Sequence, residues 1–121
     1  SDNGYKDLAH SVSSQLGQLR KSTPEVMKAF GELGRAATQA GVLDAKTKEL
    51  IALALSVAVR CDPCIAFHTQ TLVKLGATRQ EVDETLGVAT YMGGGPSLMY
   101  AASAVTAFDE FAALAKPAGS V

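Results

Sequence analysis

The chain has 121 residues, 47% of them hydrophobic and 19% charged, which suits one compact domain over residues 1–121 with a real core and leaves little room for a second. Eleven basic residues against twelve acidic ones give a net charge of −1, so no basic field exists to hold a phosphate backbone and nucleic-acid binding is not expected. The longest apolar run, Leu50 to Val59 with Ser56 inside it, falls well short of the roughly twenty residues of a bilayer span, so no membrane partner is expected and the run reads as a buried helix. The opening SDNGYKD is polar and carries no secretory signal. Two cysteines do not make a secreted disulfide scaffold, so a cytoplasmic location is expected.

Helical periodicity runs through nearly the whole chain, and the predicted fold class is all-α with about six helices. Leu8, Val12, Leu16 and Leu19 place an amphipathic helix over residues 5–20. Thr23 and Pro24, an N-cap and first-turn proline, launch a second helix whose inner face is read as Val26, Met27, Phe30 and Leu33, with Gly41 placed to stop it. A third helix starts near Asp44 and runs toward Val59; its second half is apolar on all sides, which predicts a central, buried element. A fourth runs from Pro63 to Leu75, with Asp62 as N-cap, and Gly76 closes it. Thr78 and Glu81 form a T-x-x-E capping box for a fifth helix reaching about Met92. Gly93 to Gly95 and Pro96 break it, and a sixth helix carries Leu98, Met99, Val105, Phe108 and Phe111. Its alanine-rich part, Tyr100–Ala107, fits close packing within one subunit or between two. The tail AKPAGSV reads as loose.

The stretch RCDPCIAFH, residues 60–68, holds both cysteines and one of the two histidines. Cys64 falls in the first turn of the fourth helix, with Cys61 just before it. The unpaired N–H groups and dipole of a helix start stabilise an anion, and a thiol in that setting titrates at roughly 3.5–7.5 rather than about 8.5. Arg60 pushes the same way and Asp62 opposes it. His68 lies one turn up the same face and can take the thiol proton directly or through a water. In that scheme Cys64 attacks a peroxide oxygen and becomes a sulfenic acid, and Cys61 resolves it as a disulfide.

Two other readings stand beside the redox one. A cysteine is most often a small buried hydrophobe, and both could simply be packed. CxxC is also a common zinc ligand pair, but zinc would need a fourth ligand beyond Cys61, Cys64 and His68, with only distant His10 and various carboxylates to supply it. Haem attachment needs a histidine directly after the second cysteine, and Ile65 stands there. The Gly93–Gly95 run reads as a helix–helix turn rather than a phosphate cradle, because no lysine follows. Tyr91, Met92 and Met99 fit a core stripe or a pocket wall, and His10 a surface position.

Glu49, eleven intervening residues, Cys61-x-x-Cys64, three more and His68 form E-x11-C-x2-C-x3-H. This pattern resembles the alkyl hydroperoxidase D-like proteins within the carboxymuconolactone decarboxylase family, and the likeness extends from about Ser22 to Phe111, including YMGGGPSLMYAASAVTAFDEF. The resemblance implies an all-helical homotrimer or homohexamer; no cofactor and no metal are expected. It implies a thiol-dependent peroxidase of peroxiredoxin type: Cys64 is oxidised, Cys61 donates a proton and then closes the disulfide, and His68 with Glu49 relays protons. A hydroperoxide would be the substrate, and a thiol–disulfide reductant protein, lipoyl-bearing in some members, the electron donor. Peroxidase members often carry a histidine just before the second cysteine, where this chain has Pro63.

Two rival functions follow from the same residues. One is a decarboxylase (lyase) acting on a carboxylated lactone, with His68 as acid–base and the cysteines as bystanders. The other is a non-catalytic structural or binding subunit with buried thiols. An antiparallel hairpin turning near Asp62 puts His68 opposite residue 55 or 56, leaving Glu49 roughly 9 Å away along the axis. Contact with His68 would then need a longer turn, a steep crossing or a bridging water; the alternative is a solvated residue beside Lys46 and Lys48, and the resemblance favours the functional role.

Overall fold

The computed structural model describes residues 4–116, so Lys116 is the last described residue and residues 117–121 of the AKPAGSV tail lie outside. The described chain forms six helices and no strand: α1 (Gly4–Ser22), α2 (Pro24–Thr38), α3 (Ala45–Ala58), α4 (Asp62–Lys74), α5 (Arg79–Gly93) and α6 (Gly95–Ala115). The ends follow from local chemistry. Asp44 caps α3 by accepting the Thr47 N–H at 2.7 Å, and that bond holds its carboxyl below the usual aspartate range. The capping box of α5 is present in both directions, with Thr78 Oγ1 accepting from Glu81 N–H and Glu81 Oε1 accepting from Thr78 N–H. Glu81 Oε2 also pairs with Lys46 Nζ at 2.8 Å, which ties the starts of α3 and α5 together. The Lys46 ammonium and the Thr78 N–H hold the Glu81 carboxyl below its usual range. Thr23 occupies the N-cap of α2, but its hydroxyl donates to Leu19 O and so finishes α1 instead of capping α2. That helix stops at Thr38, with Gln39 as C-cap, before reaching Gly41.

The core is assembled around α6, which packs against α1, α3, α4 and α5. Its Ala101, Ala104, Ala107 and Phe108 meet Leu53 and Val57 of α3, Ile65 and Leu72 of α4, and Val82 and Leu86 of α5. The alanines let backbones approach closely, and within this chain the Tyr100–Ala107 segment buries Ala101, Ala104 and Ala107 while Ala102 and Thr106 stay exposed. By length and composition α6 could cross a membrane, although polar residues interrupt its sequence and no long unbroken apolar run marks it. Here it is the helix that gathers the core. The N-terminus of α1 is fastened to it as well: Glu110 accepts the Tyr5 and Lys6 N–H groups at 2.9 Å each. A carboxylate there satisfies two of the donors that every helix start leaves open.

Two expectations about burial fail. The predicted inner face of α2 is not inside: Val26, Phe30 and Leu33 are 66%, 71% and 63% exposed, and α2 contributes no buried residue. α3 is buried along one face only, through Glu49, Leu53, Ser56 and Val57, while Ile51, Leu55 and Val59 are exposed. The physical reason is shared. Apolar periodicity says that a face is covered, not by what, and α2 touches only α1 and α3. Tyr91, Met92 and Met99, around the α5–α6 turn, are exposed too and form no core stripe within the chain, while Leu98 beside them lines an open groove between α5 and α6. His10 is at the surface, as expected.

The α5–α6 turn is a steric device. Gly94 takes φ 75°, and a Cβ on Gly93 would overlap Ser97 Oγ and lie 2.7 Å from Ser97 Cβ. Ser97 is buried, so it has no room to withdraw. Gly93→Ala is therefore expected to lower stability by about 1–3 kcal/mol in urea unfolding, with part of the loss recovered when Ser97→Gly is added. Unchanged stability of the single variant would contradict this close approach.

Candidate active site

The site is built at the junction of α3 and α4. α3 closes with Val59 as C-cap and Arg60 in the left-handed region at φ 61°. Arg60 N–H donates to Val57 O at 3.1 Å and Cys61 N–H to Ser56 O at 3.0 Å, the hydrogen-bond pair of a Schellman motif. Cys61 is also the N-cap of α4, with its Sγ accepting the Cys64 N–H at 3.2 Å. This corrects the expected start: Asp62 is the first helical residue and Pro63 the second, because the sulfur of Cys61 takes the capping role assigned to the Asp62 carboxylate. Cys61 and Cys64 are joined as a disulfide with Cα atoms 5.2 Å apart, and both are half-buried rather than sealed in the core.

One turn along α4, His68 meets Glu49. His68 Nδ1 lies 2.6 Å from Glu49 Oε2. The carboxylate side chain is about 10% exposed and the imidazole 31%, so the pair lies at the edge of the interior with the ring facing outward. A carboxylate accepts, so Nδ1 carries the hydrogen and Nε2 is left as the acceptor of the neutral ring. The separation expected from the hairpin register does not hold. α3 ends at Ala58 and α4 begins at Asp62, so the turn is centred on Arg60 and the residue opposite His68 is 52. Only three residues then separate Glu49 from His68 along the axis, about 4.5 Å, and two extended side chains close that gap. Nor is Glu49 solvated beside its lysines. Lys46 is paired with Glu81, and Lys48 Nζ donates to Gln39 O at 2.8 Å.

The structure thus brings all four predicted residues to one junction: Cys61 and Cys64 by a covalent bond, His68 one turn from Cys64, and Glu49 bonded to His68. The sequence reading missed the left-handed backbone at Arg60. The signal for it was a helix–helix junction without the glycine that such a turn favours. Asp62, between the cysteines, forms one end of an open cleft of about 570 Å³ between α1 and α6, lined also by Tyr5, Leu8, Ser11 and Thr106. Among the described residues no group of three His, Cys, Asp or Glu side chains is arranged to hold a metal ion.

The helical architecture has known counterparts. The model of the carboxymuconolactone decarboxylase family matches residues 24–107, and the chain belongs to that family. A crystal structure of a carboxymuconolactone decarboxylase family protein from Legionella pneumophila superposes with a TM-score of 0.88 at 58% identity, covering 93% of this chain and 99% of that one. A family member from Thermotoga maritima, for which a part in antioxidative response has been suggested, superposes with a TM-score of 0.78 at 31% identity over 88% of this chain and 91% of that one. Among curated sequences, an uncharacterized protein from Cupriavidus necator is 45% identical over 98 residues, 81% of this chain and 87% of that protein. The uncharacterized protein 4 in the cox locus of Paracoccus denitrificans is 32% identical over 99 residues, 82% and 89% of the two chains.

The buried pair makes a stability prediction independent of any activity. His68→Ala strands the Glu49 carboxylate without its hydrogen-bond partner and is expected to lower stability by about 1–3 kcal/mol. Adding Glu49→Leu should recover much of that loss, since the buried charge is then gone. A His68→Ala protein as stable as the parent in urea would contradict the pairing.

Proposed function

We propose that this protein is a thiol-dependent peroxidase of peroxiredoxin type, cycling Cys61 and Cys64 between dithiol and disulfide. The observation that carries the reading is the half-buried Cys61–Cys64 bridge at a helix start, with the Glu49–His68 pair one turn behind it. In the reduced protein the Cys64 thiolate attacks the hydroperoxide oxygen remote from the alkyl group. The O–O bond breaks, Cys64 becomes a sulfenic acid and the alkoxide leaves after taking a proton. His68 Nε2 holds the proton released from the thiols and returns it to the leaving oxygen, and the Glu49 carboxylate stabilises the imidazolium that forms between the two transfers. Cys61 then attacks the sulfenic sulfur, its own thiol proton passing by way of His68 to the leaving hydroxyl, so that water is expelled and the disulfide closes. Two electrons from an external dithiol, carried by a thiol–disulfide reductant protein such as a lipoyl-bearing one, restore the pair. Such a cycle belongs in a reducing compartment, which favours the cytoplasm. The antioxidative part suggested for the Thermotoga maritima relative supports the same chemistry.

Substitutions test each role. Cys64→Ser is expected to abolish hydroperoxide consumption, and Cys61→Ser to stop turnover while leaving a sulfenic acid trappable with dimedone. Glu49→Gln is expected to slow the first oxidation by about 10²-fold, within the range of general acid–base effects. Full turnover by Cys64→Ser would rule the assignment out, and lactone decarboxylation surviving alkylation of both thiols would point to the lyase of this family instead.

The exposed apolar faces support assembly as a homotrimer or homohexamer. Val26, Phe30 and Leu33 on α2, Ile51 and Leu55 on α3, and Val59 at its C-cap are exposed apolar side chains, of the kind that a second copy of the chain would cover. Sedimentation equilibrium should give three or six chains for the parent and a smaller species for Phe30→Asp. A monomeric parent would contradict the assembly.

A further inference from the structure

Two helices of this chain end in the same turn, built from different residues. At the end of α4 the left-handed position is Gly76, φ 78°, with Gly76 N–H donating to Val73 O at 3.1 Å and Ala77 N–H to Leu72 O at 3.0 Å. At the end of α3 the equivalent position is Arg60, φ 61°, with the corresponding two bonds at the same 3.1 and 3.0 Å. Arg60 is the only non-glycine residue with positive φ among the described residues. A side chain there is disfavoured by contact between Cβ and the following carbonyl, and a glycine would make the turn without that cost. The turn therefore does not require an arginine, and the arginine is held there against local preference.

Nothing in the fold uses its charge. Arg20 donates to Ser13 O, Arg35 to Gln39 Oε1, and Arg79 to Asp83 and Asp109. Arg60 is exposed, and among the described residues its guanidinium has no hydrogen-bond or ion-pair partner. It directly precedes Cys61. The one carboxylate adjacent in sequence to the bridge, Asp62, is also exposed and opposes it.

We propose that Arg60 is a specificity-determining residue that draws thiols bearing a carboxylate or similar anionic group to the Cys61–Cys64 disulfide. This rests on the reading of that disulfide as redox-active. In the step concerned, an incoming thiolate attacks one bridge sulfur. The Cys61–Cys64 bond breaks, a mixed disulfide forms and the other cysteine leaves as thiolate. A second incoming thiolate displaces the first as its disulfide, so two thiols are oxidised, the bridge is reduced and the protons pass to the cysteines. The exposed guanidinium of the residue that directly precedes Cys61 would pair with a carboxylate on the incoming molecule and raise its local concentration at the bridge.

The test measures reduction of the oxidised full-length protein by mercaptopropionate, mercaptoethanol and cysteamine, which are anionic, neutral and cationic. Each rate is taken per thiolate and normalised to the same thiol acting on a small linear disulfide. The parent should favour the anionic over the cationic thiol by about three- to fivefold at low salt, the range of an exposed charge pair, and the ratio should narrow as salt rises. Arg60→Lys should keep the order, whereas Arg60→Gln and Arg60→Gly should lose or invert it, with Asp62 then the nearest charge in sequence. Arg60→Gly should melt no lower than the parent, which separates loss of charge from loss of fold. A parent that shows no charge order, or an Arg60→Gln protein that keeps it, overturns the role of Arg60. A disulfide that none of the three thiols reduces overturns the redox reading as well.

Discussion

The backbone N–H of Cys61 closes α3 on Ser56 O, while its sulfur opens α4 by accepting the Cys64 N–H. One residue thus serves as the end of one helix and the start of the next, and everything at the site depends on that double use. It shortens the connection to Val59, Arg60 and Cys61. It places the sulfur where the open N–H groups of α4 converge, and it brings Cys64 within bonding distance. A longer loop would free Cys61 from the helix end and separate the two sulfurs.

The same short junction sets the register of α4 against α3, and through it the Glu49–His68 contact. A buried carboxylate is tolerated only where it is hydrogen-bonded, and here the imidazole supplies the bond. Helix α3 is held at its other end by the Asp44 cap and by the Lys46–Glu81 pair to α5. Its register is therefore fixed from both sides. Structural and chemical demands coincide: the contact that satisfies Glu49 also fixes which nitrogen of His68 faces outward as an acceptor. The close approach at Gly93 and Ser97 does similar work at the opposite turn, where it locks α5 to the core helix α6.

The six helices and most of their ends were legible because caps and breakers are local: Asp44, Thr78 with Glu81, Gly76 and the Gly93–Pro96 break all act within a few residues. The two cysteines and His68 were legible for the same reason, being spaced along one helix start. What required the third dimension was less visible. Asp62 and Pro63 form an ordinary start signal, so nothing local showed that the Cys61 sulfur would cap first. The Glu49–His68 contact depends on where the turn is centred, and a shift of two residues there changes an estimate of roughly 9 Å into about 4.5 Å. The outward face of α2 carries the same apolar spacing as a core helix. Periodicity does not distinguish a face covered by its own chain from one left for another.

The central claim is that the two sulfurs are a working pair and not packing atoms. It is tested most directly by titrating thiols in the fully reduced native protein before and after one equivalent of a hydroperoxide. The account predicts that two thiols per chain disappear together, much faster than free cysteine reacts at the same pH, and that added dithiol restores both. Thiols that survive the peroxide, or that vanish no faster than those of free cysteine, would contradict it.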